Sequence, residues 1–317
     1  MGKIAFLFPG QGSQTVGMGK ALADQSEAVM AIFKRADERL EIPLSKLIFE
    51  GPETELTLTT NTQPALLTTS IAILEVLKAA DIQADYLAGH SLGEYSALVA
   101  SGALTFEDAV YAVRKRGIFM EEAVPAGVGA MAAILGMDRG ILTEITQQVT
   151  DRGNVVELAN LNCPGQIVIS GSKAGVEEAS NLAKEKGARR IIPLQVSGPF
   201  HSSLMKPAAE KLAAVLDQLT INNAMIPVVA NVSATEVTDA SDIKKKLIDQ
   251  VFSPVLWEDT VQYLLDQGVD TFIEIGSGNV LSGLVKKVNR KVRVFAVNDS
   301  ETLELTVTSI KGLKDNA

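Results

Sequence analysis

Tyr86-Leu87-Ala88-Gly89-His90-Ser91-Leu92-Gly93-Glu94-Tyr95-Ser96-Ala97-Leu98-Val99-Ala100 decides how this chain is read. An apolar strand closes at Gly89, turns sharply and continues as a helix, with Ser91 at the corner. Glycine stands two residues to either side of the serine for a steric reason: a side chain there would collide with the neighbouring strand and helix. The pattern is G-x-S-x-G, a nucleophile elbow. It lifts the Ser91 hydroxyl into the open and aims the following backbone N–H groups at a developing oxyanion.

Working outward, Lys3 to Phe8 is nearly all apolar, as expected of a strand covered on both faces of a parallel sheet. It ends in Pro9-Gly10-Gln11-Gly12-Ser13-Gln14, a loop whose backbone can approach a substrate closely. The loop lacks the lysine of a phosphate-binding P-loop, which sets nucleotide hydrolysis aside. An amphipathic helix is expected over 17–40 and another over 61–80, with Pro64 in its first turn. Thr105 is the expected N-cap of a helix running to about Val124. That helix carries Arg114, Lys115 and Arg116, and three consecutive charges cannot share one face, so at least one points inward or over a cleft.

After Pro125-Ala126-Gly127-Val128-Gly129 the order becomes strand, helix, strand, strand, helix, strand up to Leu194. This is the βαββαβ order of a ferredoxin-like unit. Strand–helix alternation then resumes through strands near 227–230, 271–275 and 292–297. The expected fold is α/β: a hydrolase-like parallel-sheet domain, residues 1–125 and 197–317, with an inserted ferredoxin-like subdomain, residues 126–196. Ligands bind such sheets at the carboxyl ends of the strands, where Gln11, Ser91 and Gly276 fall.

At 317 residues, 46% hydrophobic and 21% charged, the chain can bury a large core. Its one cysteine, Cys163, excludes an internal disulfide and a cysteine-rich metal site. No apolar run reaches membrane-spanning length and the first apolar run meets Pro9-Gly10 too soon for a signal peptide, so the cytoplasm is the expected compartment. A net charge of −9 argues against nucleic acid as partner. Two stretches go the other way: 184–190 is mainly basic, and 286–293 holds five positive charges and no negative one.

A serine hydroxyl needs a base. The chain has two histidines. His90 adjoins Ser91 and should project away from it across the turn, as a packing or orienting residue. His201, in a Gly-Pro loop where the chain returns from the insertion, is then the base of any serine–histidine pair. No carboxylate stands out as a triad acid, and a backbone carbonyl is expected to orient the imidazole.

Together, Phe8-Pro9-Gly10-Gln11-Gly12-Ser13-Gln14, Gly89-His90-Ser91-Leu92-Gly93-Glu94-Tyr95, Arg116-Gly117, Gly198-Pro199-Phe200-His201-Ser202 and Gln250-Val251-Phe252-Ser253-Pro254-Val255 resemble the malonyl-CoA:acyl carrier protein transacylases of type II fatty acid synthesis. The resemblance implies a malonyl group passed from malonyl-CoA through Ser91 to the phosphopantetheine thiol of acyl carrier protein, with His201 as base and then acid. It also implies an oxyanion hole at the Gln11 and Leu92 N–H groups, the Gln250 carbonyl as the partner that orients His201, and Arg116 as the clamp on the malonyl carboxylate. No permanently bound cofactor or metal is expected; the coenzyme A thioester is substrate. The family's acidic carrier protein is expected to dock through Arg189, Arg190, Lys286 and Lys287, and the chain to act as a monomer. A discrete acyltransferase of a polyketide assembly shares all these residues, and a serine hydrolase or thioesterase shares the elbow.

Overall fold

The computed structural model describes residues 2–125 and 127–315. Among the described residues ten strands build two sheets: β1 (Lys3–Phe8) and β2 (Tyr86–Gly89), then β3 (Gly129–Leu135), β4 (Val156–Cys163), β5 (Gln166–Ser172) and β6 (Arg190–Pro193), then β7 (Val228–Ala230), β8 (Thr235–Val237), β9 (Val269–Ile275) and β10 (Arg293–Val297). The larger sheet has the order β10-β9-β1-β2-β7-β8. All its pairings are parallel except the last, where β8 runs antiparallel to β7.

The apolar run of β1 follows from cover on both sides. Ile4, Phe6 and Phe8 join the core built on the helices Glu27–Leu40, Thr59–Lys78 and Phe106–Glu122. Ala5 and Leu7 face the other way, into a core with Trp257, Val261, Leu264, Leu281 and Val285. From β1 the chain steps one way to β2 and β7 and later returns to lay β9 and β10 on the opposite side. Loops leaving the carboxyl ends of the central strands part there, and a crevice opens. The register pairs Phe8 with Gly89, so the Gln11 loop lies against the elbow.

The smaller sheet is antiparallel, in the order β4-β5-β3-β6. One face carries the helices Arg139–Asp151 and Lys173–Glu185, packed on Ala132, Ile134, Ile167 and Ile169. Met131, Ala133, Ala159 and Val168 of the other face join the main core. Two hydrogen bonds stitch the sheets' surroundings together, Leu161 N–H to the Val255 carbonyl at 2.9 Å and Val255 N–H to the Ala159 carbonyl at 2.8 Å. This stitch brings Asn160 to the rim of the crevice.

The single helix expected over 17–40 is two, Lys20–Gln25 and Glu27–Leu40. Ser26 takes extended backbone angles and its hydroxyl accepts the Val29 N–H, so it caps the second helix rather than continuing the first. The helix expected from Asn61 starts at Thr59, which puts Pro64 beyond the first turn. Proline has no N–H for the carbonyl four residues back, that of Thr60. Arg114 supplies the missing donor at 2.8 Å.

Candidate active site

The elbow is built by close approach. A Cβ on Gly89 would lie 1.9 Å from the Gly93 backbone, and one on Gly93 would lie 2.1 Å from the Phe8 carbonyl oxygen. The partners are backbone atoms and cannot rotate aside. Gly89→Ala is therefore expected to lower stability by about 4 kcal/mol or more, read as a shift in the urea midpoint; a wild-type midpoint would show that the turn has slack. Ser91 itself takes φ +52°, left-handed backbone that a side chain rarely adopts.

From that corner Ser91 Oγ faces His201 Nε2 at 2.8 Å. His201 Nδ1 lies 2.9 Å from the Gln250 carbonyl oxygen. A carbonyl only accepts, so Nδ1 carries the proton and Nε2 is left as the acceptor for the serine hydroxyl. Among the described residues no carboxylate bonds His201. Burial, reinforced by the nearby Arg116 charge, pushes the imidazole down to about 3.

Arg116 is the member of the charged triplet that turns inward. It is 1% exposed, whereas Lys115 is half-buried and lies over the Tyr111 ring. Its Nη2 donates to Ser91 Oγ at 3.0 Å and to Gln250 Oε1 at 2.9 Å, its Nη1 to Gln63 Oε1 at 2.7 Å. All three acceptors are neutral, and its buried Nε has no partner among the described residues. A desolvated cation thus rests on the Ser91 hydroxyl without a bonded counter-charge among the described residues.

Gln11, Gln63, Ser91, Leu92, Arg116 and His201 line one cavity of about 110 Å³ with Met131, Asn160 and Phe200. The cavity has room for a small acyl group beside Ser91. The N–H groups of Gln11 and Leu92 have no acceptor among the described residues. His90 turns from Ser91: its Nε2 meets Asn162 Oδ1 at 2.8 Å and its ring tilts on Trp257.

Several residues of the site were not anticipated. Gln63 holds Arg116, and the Gln250 side chain does so too, besides donating to the Ser91 carbonyl and to Glu94 Oε2. Asn231 clasps the elbow from β7. Burial raises the Glu94 carboxyl to about 7. A polar residue just past a strand's carboxyl end, as Asn231 is, was the available signal.

The four basic residues lie apart from this cavity. Leu135 pairs with Gln166 on one side and with Arg190 on the other, and Lys287 Nζ donates to Gln166 Oε1 at 2.9 Å. Lys286, one residue back on the helix Val280–Val288, bonds the Val292 carbonyl, and Arg189 packs against Gly136. Arg189, Arg190 and Lys287 thus gather at the end of β3, reached from Met131 after four residues, on the order of 13 Å.

A hydroxyl on an elbow, an imidazole tautomerised by a carbonyl and two idle N–H groups constitute acyl-transfer apparatus, and comparison agrees: the acyl transferase domain family model matches residues 5–317, and the chain belongs to that family of acyltransferases. Within it the chain falls among the malonyl CoA-acyl carrier protein transacylases. The one from Bacillus subtilis strain 168 is 65% identical over 317 residues, covering 100% of both chains. The crystal structure of the Clostridium perfringens transacylase superposes with a TM-score of 0.95 at 45% identity, covering 98% of each chain. A malonyl-transacylase solved in complex with its type II polyketide acyl-carrier protein gives 0.94 at 42% identity, covering 97% of this chain and 99% of that one.

Proposed function

We propose that the chain transfers the malonyl group of malonyl-CoA to the phosphopantetheine thiol of acyl carrier protein, for fatty acid synthesis, acting as a monomer in the cytoplasm. The observation that carries the reading is Arg116: a buried guanidinium with only neutral acceptors, 3.0 Å from the Ser91 hydroxyl. A carboxylate on the acyl group is the counter-charge it lacks.

The chemistry runs in two halves. Ser91 Oγ attacks the thioester carbonyl while His201 Nε2 takes its proton; the oxyanion rests on the Gln11 and Leu92 N–H groups. Collapse expels coenzyme A, whose sulfur receives the proton from His201. The carrier thiol then gives its proton to His201 and attacks the malonyl ester. Collapse of that second tetrahedral adduct returns Ser91 Oγ, reprotonated by the imidazolium. The Gln250 carbonyl holds the imidazole throughout.

We infer further that residues 126–196 are a ferredoxin-like insertion between 1–125 and 197–317. The βαββαβ order and the β4-β5-β3-β6 sheet support this; residue 126 lies outside the described residues.

Intact mass after mixing with malonyl-CoA tests the function. A malonyl adduct on wild type, lost in Ser91→Ala and discharged by carrier protein, is expected. Steady release of malonate without adduct would make the chain a hydrolase, and an equal adduct on Ser91→Ala would remove the nucleophile. The polyketide reading has one supporting observation, the likeness to the transacylase complexed with its polyketide carrier. Relative kcat/KM on the two kinds of carrier separates it from the first.

Arg189, Arg190, Lys286 and Lys287 are proposed as the carrier-docking rim, since a net −9 protein otherwise repels an acidic partner. Arg190→Glu with Lys287→Glu is expected to raise the carrier KM about tenfold at low salt, less so in high salt. Acylation by malonyl-CoA should not change. An unaltered carrier KM would sink the assignment.

A further inference from the structure

Asn231 takes hold of the elbow from the adjacent strand. It directly follows β7, which is paired with β2, and its side chain is fully buried. Its Oδ1 accepts the Ser91 N–H at 2.7 Å and its Nδ2 donates to the Gly89 carbonyl at 2.7 Å. One amide thus bridges the Gly89 carbonyl and the N–H of the left-handed Ser91, and its donor and acceptor ends are not interchangeable. Its own N–H donates to Glu94 Oε2 at 2.9 Å, and the same oxygen accepts from Gln250 Nε2 at 2.9 Å. Through that carboxyl the grip on Ser91 is tied to the residue whose carbonyl holds His201.

The clasp also sorts two consecutive N–H groups. That of Ser91 is occupied by Asn231, while that of Leu92, on the cavity wall, has no acceptor among the described residues. Ser91 at φ +52° has no glycine's freedom to hold this geometry unaided.

We propose that Asn231 is a positioning residue for acyl transfer: it locks the Ser91 backbone so that Oγ stays on His201 while the Leu92 N–H faces the reacting carbonyl. The inference rests on Ser91 being the nucleophile.

Asn231→Asp tests it with almost no change of shape. At pH 8 the introduced carboxylate still accepts the Ser91 N–H, but its other oxygen is set against the Gly89 carbonyl. The single-turnover rate of Ser91 malonylation is expected to fall about 100-fold, the cost of a misplaced reacting atom, with the malonyl-CoA KM unchanged. Burial beside Glu94 makes the new carboxyl easy to protonate, with Arg116 of the helix Phe106–Glu122, Lys246 of the helix Ala240–Gln250 and His201 the other ionisable groups nearby. Protonated, it donates to the Gly89 carbonyl as the amide does, so the variant's rate relative to wild type should climb from pH 8 to pH 6. Asn231→Ala, with neither bond, should stay slow at every pH. Rates are taken per molecule that finally carries malonate, by intact mass, so unfolded protein drops out. If Asn231→Ala does not fold, Asn231→Asp alone decides. A wild-type rate for Asn231→Asp at pH 8, a deficit confined to KM, or a ratio that ignores pH would each overturn the proposal. No adduct on wild type would instead overturn the nucleophile itself.

Discussion

Exchange of His201 for alanine is expected to slow malonylation of Ser91 by about 10³- to 10⁴-fold in a folded protein. The reason is the absence, among the described residues, of any substitute within reach of Oγ. Its two side-chain partners are His201 Nε2 at 2.8 Å and Arg116 Nη2 at 3.0 Å, and a guanidinium does not accept a proton. His90 is engaged by Asn162, and the Glu94 carboxyl by Asn231 and Gln250. Quenched single-turnover mixing with malonyl-CoA, read by intact mass, measures the rate; a loss below about tenfold would remove His201 as the base.

The same residue sets the pH dependence. In the free enzyme His201 is held down to about 3, so it is neutral and able to accept a proton throughout the ordinary histidine range. Titration of His201 should therefore leave the kcat/KM for malonyl-CoA, which reports the free enzyme, flat from pH 8 to about 5, so that any step near pH 7 reports the Glu94 carboxyl instead. A carboxylate on Arg116 cancels one of the charges that depress the imidazole. The acylation rate of the bound complex should accordingly decline at a higher pH than kcat/KM does. Stability follows the same sign. An unfolded chain protonates His201 near 6.5 and the native one resists until about 3, so this contribution is complete above 6.5 and is lost as pH falls through that window.

What the sequence disclosed was what is local. The elbow is written in five consecutive residues, and the clash at Gly89 and Gly93 is the collision that two glycines around a serine imply. The elements of 129–194 were legible because its helices are amphipathic and its strands are short, mostly apolar runs, although the central strands are covered on both faces. Arg116 was partly legible, since three adjacent charges on a helix cannot all reach water. The break at Ser26 was missed because a serine within an amphipathic pattern reads equally as interior or cap until its backbone is seen. Helix Val280–Val288 escaped for want of a clear start signal, since Asn279 makes no side-chain cap to it; Ser300–Asp315 escaped although Asp299 caps it, its carboxylate accepting the Thr302 N–H at 2.8 Å. Gln63 and the Gln250 amide were out of reach for a different reason, and Asn231 offered only its place just past a strand. Each is an unremarkable polar residue whose partner lies 53 to 159 positions away, brought close only by the sheet order.

Arg116→Ala is expected to lower kcat/KM for malonyl-CoA by about 10²- to 10³-fold and to leave acetyl-CoA much less affected, so that the preference between them collapses. Burying a cation among neutral oxygens is costly unless a carboxylate arrives to pair with it. A malonyl group brings that carboxylate into a cavity of about 110 Å³, where exclusion of water strengthens the pair; an acetyl group fits the same space and leaves the guanidinium unpaired. Removing the arginine removes the reward for one substrate and the penalty for the other. It also deprives Gln63 Oε1 of its 2.7 Å donor, so a stability loss of about 1–3 kcal/mol accompanies the variant, and the comparison is made on folded protein. Arg116→Lys keeps the charge but loses the planar fork, and should fall between wild type and alanine. Competition between equimolar malonyl-CoA and acetyl-CoA, scored as the ratio of the two adducts on Ser91, measures all three proteins at once. Full malonyl preference in Arg116→Ala would mean that the carboxylate is read elsewhere in the cavity.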